Sequence, residues 1–107
     1  MKILLWNVEW ATLKSSIGKE IQRIYRDIAP DLARITEGNL NAWVEEENVI
    51  SSTEDYGYQR IEGRRKVILI SNDEWKDVDD VGNIELQAGR YCYGNTHGLD
   101  IHGVCIP

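Results

Sequence analysis

Two short runs in this chain are apolar at every position, and they constrain the fold more than anything else in it. Ile3-Leu4-Leu5-Trp6 and Val67-Ile68-Leu69-Ile70 have the length and the β-branched or aromatic content of strands. Successive strand residues point to opposite faces of a sheet, so an unbroken apolar run needs cover on both sides. The chain offers one convincing helix for this purpose. Over residues 17–29 the apolar positions Ile17, Ile21, Ile24, Tyr25 and Ile28 fall on one helical face, with Ser15 or Ser16 as N-cap and Pro30 as the stop. A second, shorter helix is expected over residues 40–48, carrying Trp43 and Val44. Together these cover one face. The other face needs a second layer, supplied by another copy of the chain or by a continuation of it.

The remaining segments fill in an α+β chain. Residues 2–9 read as the first strand and 32–36 as the second, parallel to the first if the helix between them is a crossover. Residues 49–55 read as a loop, 56–61 as a half-buried strand, and 66–71 as the two-faced strand. Residues 72–82 are acidic and irregular. Short strands follow at 84–86 and 91–93, then a tight turn at 95–98 and a last strand at 99–106. The fold class is thus one mixed β-sheet with one or two helices on one face, in a single domain over residues 1–107.

Bulk charge narrows the partners. Twelve Lys and Arg against eighteen Asp and Glu leave a formal net charge of −6, which argues against a general nucleic-acid binder. A local basic strip from Arg60, Arg64, Arg65 and Lys66 would be needed to approach a polyanion. No run resembles a secretory h-region or a membrane span, so no membrane partner and a cytoplasmic location are expected. The two cysteines, Cys92 and Cys105, read as buried free thiols, with a disulfide between neighbouring strands as the alternative. His97 and His102 have no metal-type spacing and read as structural.

Chemistry points to two strand ends. Asn7 closes the first apolar run, and Glu37 closes the segment Leu32-Ala-Arg-Ile-Thr-Glu37. In open α/β sheets, sites form beyond the carboxyl ends of strands, and two adjacent parallel strands would bring these side chains together. A carboxylate and an amide oxygen suit a hard cation such as Mg²⁺, which keeps positions for water and phosphate. Equally, Asn7 could cap a strand and Glu37 open the turn before Gly38. Glu9 lies near the same edge.

The order of these segments resembles the endonuclease/exonuclease/phosphatase family, closest to a bacterial branch. The residues that carry the likeness are Lys2-Ile-Leu-Leu-Trp-Asn-Val8, then a helix, Ala29-Pro-Asp31, Ile35-Thr-Glu37, Arg65-Lys-Val-Ile-Leu-Ile-Ser71, Gly89-Arg90 and Gly103-Val-Cys-Ile-Pro107. The resemblance implies half of a four-layer αββα sandwich. It also implies Mg²⁺- or Mn²⁺-dependent hydrolysis of a phosphodiester or phosphomonoester, with a nucleic acid among the candidate substrates. Asn7 would orient phosphate or a water on the metal, and Glu37 would ligate the metal. The family's general-base histidine, its partner aspartate and its Asp-x-Asn motif have no counterpart here. Thr36 replaces a common Gln, and Cys105 stands near a position where several members have Tyr or His. The expectation is therefore the amino-terminal portion of a phosphoesterase, inactive by itself. Its partner would be a missing carboxy-terminal half or a second copy. The alternative is a non-catalytic binding or assembly module that buries its open sheet face.

Overall fold

The structure is a computed structural model that describes residues 1–107 apart from 44, 47, 54–60, 80–88 and 106–107. The expected strand at 56–61 lies almost wholly outside the described residues, as does the one at 84–86. β1 (Ile3–Asn7) leads into α1 (Ser16–Ile28), which returns the chain to β2 (Leu32–Asn39). β1 and β2 pair in parallel, with Ile3 opposite Leu32 and Asn7 opposite Thr36, so α1 is the crossover the sequence called for. β4 (Arg64–Ser71) runs antiparallel to β2, and β3 (Asn48–Ser51) pairs on its far side, giving the sheet order β1-β2-β4-β3. β3 therefore takes the last residue of the expected helix, Asn48, and residues 49–51 of the stretch expected to be a loop. The expected helix at 40–48 is a single 3₁₀ turn, Leu40–Trp43.

α1 starts and stops for local reasons. The Ser15 hydroxyl accepts the Gly18 N–H at 2.9 Å, satisfying one of the helix's orphan donors. Pro30 disfavours helical backbone at Ala29, which turns left-handed (φ 46°) and closes the helix with its N–H on the Tyr25 carbonyl. The buried face is Gly18, Ile21, Gln22 and Tyr25; it keeps Ile21 and Tyr25 of the apolar stripe and leaves Ile24 and Ile28 half-buried. Ile17, counted on that stripe, is 68% exposed. The helix packs on one sheet face with Val8, Ala33, Ile35, Trp43, Ile68 and Ile70, and Tyr25 meets Trp43 edge-on at 4.9 Å between ring centroids.

The second face is where the architecture departs from a single sheet. β5 (Lys76–Asp79), β6 (Tyr91–Thr96) and β7 (Leu99–Val104) form a separate three-stranded antiparallel sheet, with β5 falling in the stretch expected to be irregular. This sheet covers β4 from the side opposite α1. Val67, Leu69 and Cys92 make a second core with Ile50, Trp75, Ile101 and Cys105 against it. The approach is close, since a Cβ on Gly103 would lie 2.7 Å from Val67 Cγ1. The two-faced run 67–70 is thus covered on both sides within the chain. The run 3–6 is not: Ile3 and Leu5, on the face away from α1, are 54% and 62% exposed. Both cysteines are free thiols, and burial pushes the Cys92 thiol up to about 12.

Candidate functional site at the carboxyl edge of β1 and β2

The parallel register carries Asn7 and Glu37 to one edge, with Asn7 across from Thr36 and Glu37 the next residue along. A short left-handed turn beyond the end of β1 ties it to β2, which runs two residues past Glu37 to Asn39 rather than stopping at 36. Glu9 and Trp10 both have positive φ, 49° and 65°, and the Ala11 N–H closes the turn on the Val8 carbonyl at 3.0 Å. The Val8 N–H donates to the Thr36 carbonyl, and the Trp10 N–H donates to the Glu37 carbonyl at 2.6 Å. Glu37 is itself left-handed, at φ 52°. Three side-chain-bearing residues in this sparsely populated region, on one edge, store backbone strain of about 1–3 kcal/mol each. No glycine marks the turn in Asn7-Val-Glu-Trp-Ala11, so nothing in the sequence announced it.

The left-handed step at Glu37 also interrupts the strand's alternation. A Cβ on Gly38 would meet Ile68 Cδ1 at 2.9 Å and Ile35 Cγ2 at 3.1 Å, both on the helix side of the sheet. A side chain just after the carboxylate would have to displace the end of Ile68 and press on Ile35.

Hydrogen bonding decides what each side chain has left to offer. The Asn7 Oδ1 accepts the Glu9 N–H at 2.9 Å, which fixes the amide with its oxygen toward its own backbone. Its Nδ2 protons make no hydrogen bond to a described residue, and the carboxylates of Glu37 and Glu9 have no such partner either. Because β4 is antiparallel, its amino end lies at the same edge, with Arg64 opposite Asn39 and Arg65 opposite Gly38. The Arg64 guanidinium sits over the Trp10 ring, 5.0 Å from its centroid. Lys66, assigned to a basic surface strip from the sequence, is 4% exposed, and Arg60 lies outside the described residues.

The histidines sit elsewhere. His97 is near Asp31, whose carboxyl is held below its usual range chiefly by the Lys2 N–H, with the Asn72 amide and nearby positive charge adding to the effect. That cluster is at the amino end of β2, the opposite end from Asn7 and Glu37. His102 packs on Tyr93 at 4.5 Å in the second sheet. A hollow of about 320 Å³ lined by Tyr25, Arg26, Pro30 and Ser71 is likewise at the amino end. Among the described residues no group of three or more His, Cys, Asp or Glu side chains could hold a metal ion. The edge offers the Glu37 carboxylate and the remaining lone pair of the Asn7 oxygen, with Glu9 nearby. Mg²⁺ accepts so sparse a set, since it commonly binds through one or two carboxylates and keeps several waters.

No family model matches the chain, and no curated protein is similar to it. Among solved structures, an AP endonuclease from Archaeoglobus fulgidus superposes with a TM-score of 0.71 at 18% sequence identity, covering 100% of this chain and 41% of that one. The chain has the fold of part of an AP endonuclease. At this identity the likeness is one of fold, and the chain spans less than half the length of its structural neighbour. Among the described residues no helix is long and apolar enough to cross a membrane.

Proposed function

We propose that the chain carries one part of a divalent-metal phosphoesterase site, with a nucleic acid as substrate, and that a further part of the fold completes it. The observation that carries this reading is the unpartnered Glu37 carboxylate beside the Asn7 amide, on a strained edge of an AP-endonuclease-like sheet. Asn7 donates from Nδ2 to a phosphoryl oxygen, because its Oδ1 is already turned to the Glu9 N–H. Glu37 holds Mg²⁺ or Mn²⁺, with Glu9 close enough in sequence to assist. The bound cation supplies charge neutralisation at phosphorus and makes a nucleophile from water. The chain's own residues position the ester and the cation. They provide no general base at this edge, a term worth about 10²–10⁴ in rate.

The test is Mn²⁺ titration followed by line broadening of backbone amides, with turnover of plain DNA, abasic DNA and a generic phosphodiester measured in parallel. Broadening should centre on Asn7 and Glu37 and vanish in Glu37→Ala, while turnover by this chain alone stays near background. Robust Glu37-dependent turnover would sink the claim that a further part is needed. Unchanged broadening in the variant would remove the metal site. The exposed Ile3 and Leu5 favour a second reading, a non-catalytic assembly module. It requires a sharply sized, metal-independent oligomer by light scattering, and a monomer would count against it.

A further inference from the structure

The backbone of Arg64 belongs to the β2–β4 ladder, but its side chain reaches past the sheet to Trp10. Its guanidinium makes no hydrogen bond or ion pair with a described residue, and it lies on the Trp10 ring 5.0 Å from the centroid. A cation–π contact of this kind restrains the guanidinium without using its N–H donors, which suits contact to a phosphate. Trp10 is in turn fixed to the candidate site, because its N–H donates to the Glu37 carbonyl at 2.6 Å. The left-handed Glu9-Trp10 turn holds it there against its backbone preference. With a net charge of −6 the molecule lacks the general attraction that brings polyanions to basic proteins, so a local, preorganised cation gains weight.

We propose that Arg64, laid on Trp10, anchors a phosphate of a nucleic-acid strand adjacent to the one at the Asn7–Glu37 edge, so that the site selects a polynucleotide over an isolated phosphate ester. This rests on the reading of that edge as a phosphoester site. Trp10 contributes the aromatic surface over which Arg64 is held.

The experiment measures fluorescence anisotropy of a labelled single-stranded oligodeoxythymidine with the whole chain, in EDTA, across a salt series. Inorganic phosphate serves as competitor. Wild type should bind, and Arg64→Ala should weaken binding about tenfold and lower the log–log salt slope by about 0.7. Arg64→Lys, which keeps the charge without the fork, should fall between them. Arg26→Ala removes the same charge from the exposed side of α1 and should change nothing, with circular dichroism confirming that each variant is folded. Absence of oligonucleotide binding by wild type, equal binding by Arg64→Ala, or equal weakening by the two alanine variants would each overturn the proposal. Mn²⁺ broadening at Glu37 separates this from the metal reading. Arg64-dependent binding without broadening retains the anchor and removes the metal. Broadening without Arg64-dependent binding does the reverse.

Discussion

Gly18 is a residue at which helix propensity and packing give opposite answers. It lies in the first turn of α1, where replacing glycine by alanine ordinarily gains up to about 1 kcal/mol. Here a Cβ would sit 1.7 Å from the Thr12 carbonyl oxygen and 2.9 Å from the Ser15 hydroxyl that caps the helix. Backbone cannot yield as a flexible side chain can, so the sign reverses. Gly18→Ala should lower the stability by about 1–3 kcal/mol, read as a fall in the denaturation midpoint at unchanged m-value. The same contact explains why α1 buries Gly18 and leaves Ile17 exposed: the chain entering the helix is packed against the glycine. Asn7 and Glu37 were legible as candidate residues because each closes an apolar run. The direction of the Asn7 amide was not, because it depends on a hydrogen bond to a left-handed Glu9 that no residue type in the turn signals.

At the scale of elements, Asp31 joins three of them at the amino end of the sheet. Its carboxylate accepts the Lys2 N–H at 2.6 Å and the Asn72 amide at 2.8 Å, and its backbone pairs with the same two residues. It thereby links the start of β1, the start of β2 and the loop after β4. Both side-chain bonds favour the charged form, which lowers the folded-state value. A lowered value stabilises the fold above the ordinary carboxylate range near pH 4, and the contribution is lost as pH falls through the lowered value. Wild type should therefore lose stability relative to Asp31→Asn as the pH falls below the ordinary carboxylate range at about 4, as measured by denaturant midpoints at each pH. Parallel curves would show that Asp31 is not coupled to folding. The β1–α1–β2 unit was readable because helix period, N-cap and Pro30 all agree with a parallel crossover. The strands at 48–51 and 76–79 were missed because each is four residues long, defined by a neighbour rather than by its own pattern.

For the molecule as a whole, the two apolar runs have different fates. β4 is sandwiched: Ile68 and Ile70 face α1, while Val67 and Leu69 face the second sheet. β1 is covered on one side only, and beside it the Nε of Arg34 is buried with no hydrogen-bond partner among the described residues. Leu69→Ala should cost about 2–5 kcal/mol, as expected for a fully buried leucine. Leu5→Ala, at 62% exposure, should cost well under 1 kcal/mol in the isolated chain. Comparable losses from the two would mean that β1 is covered in solution.

By itself the sequence determined that this chain folds into a mixed sheet backed by a crossover helix, with Asn7 and Glu37 at one edge of two parallel strands. Those features follow from local periodicity, capping and chain direction. Only the tertiary structure decided that the cover for β4 comes from the chain's own second sheet and that β1 stays open on one face. The same is true of the placement of Arg64 on Trp10 beside the Glu37 backbone. These depend on contacts between residues far apart in sequence, and on left-handed backbone at Glu9, Trp10 and Glu37 that is sustained by its surroundings rather than encoded by the residues that adopt it.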